Sequence, residues 1–226
     1  MGHFAKAQLT EEIKKKTPEL PGQIMLDFGF NLISGAPSNL PYHWWRSKSI
    51  GLYFVKSFEI SNKFELRPGI GVSLEKFGHK KNMKVFGYVE DPDGNVLLDY
   101  DSIAGGGLKK NELAVRYIDL PVEVRFNFNG NDRKDGLFLA IGGSAAYRID
   151  SRTKIKYHDA FGNKIKDIKK NDFGLKRIRL GAYGRLGYRS VSAFYKVYFT
   201  DMFSGSGPTG TASMQYSTIG ISITGL

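Results

Sequence analysis

Charged residues of both signs sit at alternating positions inside runs that are otherwise apolar, and they are the side chains of this chain best placed to do chemistry. Asp27, Glu65, Arg67, Glu75, Asp119, Glu123 and Arg125 fall on the polar side of their runs, as do Arg148, Arg177, Arg179, Arg185 and Arg189, with Lys196 as a further member. A lone charge withdrawn from water is strongly unfavourable, whereas an arginine facing a carboxylate gains charge-assisted, often bidentate, hydrogen bonds. Enclosed together, these residues predict an arginine–carboxylate network. Lining an open passage instead, their arginine excess would favour anions.

Other chemistry is thinly represented. His3, His43, His79 and His158 show no metal-ligand spacing, and no serine elbow or paired-carboxylate motif stands out. Asp91, Asp93, Asn95 and Asp99 have a spacing suggestive of calcium, but the glycine and final glutamate of an EF-hand are missing. The glycines of 205–211 lack the lysine and helix of a phosphate loop. We therefore expect no catalytic residue, no metal and no cofactor. If the chain were an enzyme, His43, His79 or His158 beside a loop Ser or Asp would be the place to look, acting on lipid.

The elements that carry these charges are strands. Over 23–33, Ile24, Leu26, Phe28, Phe30 and Leu32 alternate with Gln23, Asp27, Gly29 and Asn31, a period of two that no helix can produce. The same alternation recurs at 47–58, 63–75, 117–128, 137–149, 175–190, 192–203 and 214–225, with aromatics on both faces of 192–203. Short links at 59–62, 129–136 and near 190–191 alternate with long ones at 34–46, 77–114, 150–174 and 204–213. This pattern predicts an all-β fold over 22–226: an eight-stranded antiparallel up-and-down transmembrane β-barrel with long extracellular loops and short periplasmic turns. Both termini then lie in the periplasm of a bacterium with an outer membrane.

Volume decides which face points outward. An eight-stranded barrel holds only enough side chains to fill itself, so the face carrying Gly29, Gly51, Gly69, Gly71, Gly142, Gly181 and Gly187 must be the inner one. A soluble barrel with its greasy face inside would be overfilled. Mean hydropathy is −0.30 and the chain has no cysteine, so membrane insertion is expected by strands and without disulfides. Pro121 cannot donate to a ladder and predicts a bulge in a barrel that has no free edge.

Residues 1–21 read as the end of a signal peptide, Ala5-Lys6-Ala7, followed by a short periplasmic lead. The net charge of +11 is concentrated in the long links, including Lys76, Lys80, Lys81 and Lys84, and Arg152, Lys154, Lys156, Lys164, Lys166, Lys169 and Lys170. There it would face the phosphates of lipopolysaccharide; no platform for nucleic acid accompanies it. Residues 91–95 and 159–163 supply turn chemistry and predict hairpin tips. Tyr42, Trp44, Trp45, Phe203 and Tyr216 stand near the long-loop rim and are expected to form an interfacial aromatic belt.

The stretches Phe64-Glu65-Leu66-Arg67-Pro68-Gly69-Ile70-Gly71, Tyr117-Ile118-Asp119-Leu120-Pro121-Val122 and Gly181-Ala182-Tyr183-Gly184-Arg185-Leu186-Gly187-Tyr188 resemble the PorT-like outer-membrane barrels of Bacteroidetes-type bacteria. The resemblance covers most of 22–226. It implies an outer-membrane barrel, with envelope or secretion proteins as partners beside lipid and lipopolysaccharide. The expected role is a closed, salt-bridged structural or interaction component; a narrow anion-biased pore is the alternative, and a lipid-modifying enzyme the third reading.

Overall fold

The alternation closes into a cylinder. The computed structural model describes residues 22–35, 42–78, 85–90, 92, 96–101, 109–129, 136–158, 161–204 and 214–225. The sequence readings of 1–21, His79, most of 91–95 and 205–211 therefore lie outside the described residues, as do the side chains of 85–90 and 96–101.

Eight staves build the barrel: β1 (Gln23–Ser34), β2 (Lys48–Val55), β4 (Phe64–Gly78), β7 (Lys110–Asn127), β8 (Leu137–His158), β10 (Ile178–Tyr188), β11 (Val191–Tyr198) and β12 (Gln215–Thr224). Each pairs antiparallel with the next. β12 returns to β1 from Met25↔Thr224 to Ser34↔Gln215, so no free edge remains around the ring. The two-residue β3 (Phe58–Glu59) flanks β4 at a turn. Two hairpins occupy the long links. β5 (Val85–Glu90) pairs with β6 (Val96–Asp101), and β9 (Lys164–Lys170) pairs with the far end of β8.

Side chains alternate as volume requires. On β7, Tyr117, Asp119, Glu123 and Arg125 are buried, while Ile118, Leu120, Val122 and Val124 are exposed. From Ile118 to Phe128 the outer face is apolar over eleven residues; ten steps at about 3.3 Å per residue and a tilt of about 40° span about 25 Å, the height of an outer-membrane belt. No helix among the described residues is long and apolar enough to cross a membrane.

Inner glycines make room for inner aromatics. A Cβ on Gly51 would fall 2.4 Å from the Tyr53 ring. Gly29 and Gly220 face each other across the β1–β12 seam, and a Cβ on Gly220 would lie 2.0 Å from the Phe28 carbonyl oxygen. Strand β11 resolves the same way: Phe194 and Tyr198 point inward and Tyr195 outward. It ends at Tyr198, short of the 203 expected from sequence.

The bulge is not at Pro121. Pro121 faces Ser144 in unbroken register, and the irregularity lies between Arg116 and Tyr117, which face Asp150 and Arg148 and leave Ile149 as the extra residue. On the β4 side the register is equal on both flanks (Pro68↔Val122, Gly71↔Asp119), but the rungs of Gly69 and Ile70 are missing. Gly69 has no side chain to obstruct the proline ring, so the ladder opens without inserting a residue.

Candidate functional site: a charged, capped lumen

The buried charges form a column along the barrel axis. Nearest the short turns, Asn127 donates to Glu65 at 2.9 Å and Arg125 Nε donates to Asn127 at 2.9 Å, with the Arg125 guanidinium 3.5 Å from the centre of the Phe138 ring. Above them Arg67 donates to Glu123 at 2.9 Å and to Gln23 at 3.1 Å. Glu123 also pairs with Arg185 Nε at 3.2 Å. Arg185 then holds Asp27 in a two-pronged fork, at 3.0 and 2.9 Å, and Lys196 reaches the same carboxylate at 2.7 Å. Such forks are the strongest ion-pair geometry available to a side chain.

A second group sits toward the long loops. Arg179 donates to Glu75 at 3.1 Å, to Asp119 at 2.9 Å and to Ser73 at 3.2 Å, and also to the Tyr216 hydroxyl. Ser73 donates in turn to Asp119. The Arg179 guanidinium lies 3.9 Å from the Tyr117 ring centre and 4.3 Å from that of Tyr198, a cation–π cage. Asn31 donates to the other oxygen of Glu75 at 2.9 Å and accepts from Thr218 at 2.7 Å.

Above this group the lumen turns apolar. Phe77, Leu113, Val115, Phe173, Leu175, Met202, Phe203 and Met214 pack with Tyr117, Tyr198 and Tyr216 in one buried cluster. Phe173 and Leu175 after β9 and Met202, Phe203 and Met214 after β11 supply it from the links, joined by a bridge between Leu175 and Phe203. Phe173 adopts φ 51° beside Gly174 at φ 64°, a left-handed pair that turns the phenyl ring into the barrel mouth. A bulky residue is costly there, and burial of its ring offsets the cost. At the rim Arg148 donates to Ser151 at 2.8 Å and pairs with Asp172 at 3.8 Å.

Two arginines of the expected network and three aromatics of the expected belt are placed differently by the structure. Arg177 is exposed, because it precedes β10 and its parity does not bind it to the lumen. Arg189 is exposed at the β10–β11 turn at φ 53°, over the Tyr188 ring. Phe203 and Tyr216 are buried inside the barrel and belong to no interfacial belt: Tyr216 shares the inward parity of Thr218 and Ser222, and Phe203 is drawn into the mouth by its bridge to Leu175. Tyr42 is half-buried; its hydroxyl donates to the Asn31 carbonyl, and burial raises its pKa above the ordinary tyrosine value.

Trp44 and Trp45 do stand outside, on a short 3-10 helix (Trp44–Arg46) ahead of β2, where neither is constrained by strand parity. Trp45 stacks on Phe30 at 5.1 Å. Sequence reasoning missed a second aromatic group at the opposite rim, Phe58, Phe64, Phe126 and Phe128, legible as phenylalanines at strand ends beside the short turns. It also missed the tyrosine cage of Arg179. His43 donates its backbone N–H to Gly78, and His158 faces Lys164 across the β8–β9 ladder. Among the described residues no group of three His, Cys, Asp or Glu side chains could hold a metal.

Known proteins provide the remaining comparison. A family model described as outer membrane protein beta-barrel domain matches residues 26–205. Ail, the attachment invasion locus protein of Yersinia pestis, is 10% identical over 90% of this chain and 97% of its own, with a TM-score of 0.37. Its complex with the heparin analogue sucrose octasulfate aligns over 91% and 99% at 10% identity and a TM-score of 0.33. A triple mutant of the Rhodopseudomonas blastica porin aligns at 10% identity over 90% of this chain and 99% of that one, with a TM-score of 0.20. These likenesses add nothing to the fold described above, and no curated protein matches. The family model spans most of the barrel, and the chain belongs to the outer membrane protein beta-barrel domain family, an outer-membrane protein.

Proposed function

We propose that this protein is a sealed, non-enzymatic barrel of the PorT-like kind from a Bacteroidetes-type bacterium. It acts as a structural or interaction component of the outer membrane. Its termini and short turns face the periplasm, its long loops face outward among lipopolysaccharide, and its partners are envelope or secretion proteins rather than nucleic acid.

The observation that carries the reading is charge balance. Among the described residues the buried charges of the lumen are five carboxylates (Asp27, Glu65, Glu75, Asp119, Glu123) and five cations (Arg67, Arg125, Arg179, Arg185, Lys196); Glu65 and Arg125 meet through Asn127, and the others pair directly. A pore selective for anions would keep an excess of cations facing water. Here the arginines are occupied, and an apolar cap lies above them. Breaking one buried pair leaves its partner uncompensated at several kcal/mol, so the network resists opening. What remains available for function is the surface: loops, rims and the periplasmic end.

Liposome swelling tests this directly. Vesicles carrying the folded barrel should swell in glycine or a small sugar no faster than empty vesicles. Swelling at the rate of a porin control would refute the sealed lumen.

A further inference from the structure

Strands β7, β8 and β9 continue beyond the apolar belt as a three-stranded sheet whose outward face is built mostly from cations. The bulge at Ile149 sets Arg152, Lys154 and Lys156 of β8 on the side that carries Ile118 and Leu120 lower on β7, the side facing lipid. Register extends the pattern across the sheet. Lys110 lies opposite Lys156 and Lys156 opposite Lys166, while Arg152 lies opposite Lys170. Among the described residues the carboxylates on this face are Glu112, 2.9 Å from Lys110 and opposite Lys154 in register, and Asp150, 3.5 Å from Arg116. Among the described residues no ion pair joins Arg152, Lys154, Lys156, Lys166 or Lys170 to a carboxylate. The Lys154 ammonium is held below the ordinary lysine range by desolvation and by the charges of Lys110, Lys156 and Lys166, which together outweigh the opposing pull of Glu112.

Like charges set directly opposite one another destabilise a sheet. Lysines that merely protect an edge would be confined to β9, but this row runs inward to Lys156, whose strand is paired on both sides. An anion on this face would turn the repulsion into binding. Because the face continues the lipid-facing side of the barrel, the anion belongs to the surrounding leaflet.

Height narrows the class. Lys110 lies six residues beyond Arg116, about 20 Å along the strand at about 3.3 Å per residue, hence about 15 Å above the belt at barrel tilt. A phospholipid headgroup reaches only about 5–8 Å past the hydrocarbon. Matching both the Arg152–Lys170 row and the higher Lys110–Lys156–Lys166 row requires anionic groups distributed along an extended head. We infer that the outward face of the β7–β8–β9 extension is a binding site for the headgroup of a multiply phosphorylated glycolipid of the outer leaflet.

This rests on the long-loop end facing outward, as proposed above. The test is therefore made in detergent, where orientation plays no part; cysteine labelling examines orientation by itself. The full-length folded barrel is titrated, by native mass spectrometry, with a core-carrying lipid A glycolipid, its dephosphorylated form, phosphatidylglycerol and inositol hexakisphosphate. The intact glycolipid should bind most tightly. The variant K154Q/K156Q/K166Q should lose on the order of 100-fold in affinity, at about fivefold per lysine, and K56Q at the opposite rim should lose nothing. All of these side chains lie outside the lumen, and heat-modifiable mobility shows that each variant is folded. Equal binding by the triple variant would overturn the site. Binding of phosphatidylglycerol as tight as the glycolipid would overturn the extended head, and equally tight binding of inositol hexakisphosphate would replace the lipid with a soluble polyanion.

Discussion

Arg179 on β10 and Glu75 on β4 are 104 residues apart in sequence and meet at 3.1 Å across the lumen. The same guanidinium also serves Asp119 at 2.9 Å. Arg179→Ala therefore strands two buried carboxylates at once and should cost at least about 3–5 kcal/mol. Urea unfolding of the barrel in lipid vesicles measures this. Combining Arg179→Met with Glu75→Gln and Asp119→Asn removes the charges together and should recover most of the loss, because the penalty lies in the uncompensated charge. A triple variant no more stable than Arg179→Ala would show that packing, rather than charge, holds the site.

Two glycines provide a matched steric test. Gly220→Ala places a Cβ 2.0 Å from the Phe28 carbonyl and 2.6 Å from the Gly29 Cα, both backbone atoms that cannot rotate away. It should destabilise by about 1–3 kcal/mol, the range for overpacking. Gly184 has nothing within 4 Å of its added Cβ, so Gly184→Ala should be neutral or gain about 0.5–1 kcal/mol from strand propensity. The same urea titration reads both; equal effects would contradict the packing described.

Much of this was legible in the sequence, and the misses share physical causes. Alternation exposed all eight staves because each has one face against lipid and one against a crowded lumen. It understated β7 and β8, since beyond the belt Lys154 and Lys156 alternate with Thr153 and Ile155 and no apolar face marks the strand. It misassigned Phe203 and Tyr216 because an aromatic near a rim looks the same whether it turns toward lipid or inward. Tyr216 faces inward because it follows the parity of Thr218 and Ser222. Arg177 and Arg189 share the parity of Arg179 and Arg185 but lie where the strand has not begun or has already ended. Pro121 demanded relief of the ladder; that Gly69 could supply it without a bulge depends on the facing strand.

Orientation is open to chemical labelling because the chain has no cysteine. Phe161 is 91% exposed at the β8–β9 tip, and Ser190 lies in the short β10–β11 turn. On intact cells a membrane-impermeant maleimide should modify Phe161→Cys and spare Ser190→Cys, which should react only after the outer membrane is opened. The reverse pattern would invert the barrel.

The two tryptophans of the chain, Trp44 and Trp45, report the depth of the rim. Both are exposed on the outer face beside Phe30. Their fluorescence should be quenched more by lipids brominated near the carbonyl end of the acyl chain than near its tail, as for an interfacial belt. Stronger quenching by the tail bromines would place them in the belt itself.

The sealed lumen is tested most directly by single-channel recording of the purified, folded barrel in planar bilayers, with Arg179→Ala and Arg185→Ala alongside. A balanced, capped column of ion pairs predicts silence from the native protein, while heat-modifiable β structure shows that it is folded. Steady conductance whose size and ion preference change in the two variants would contradict it and make those arginines the lining of a pore.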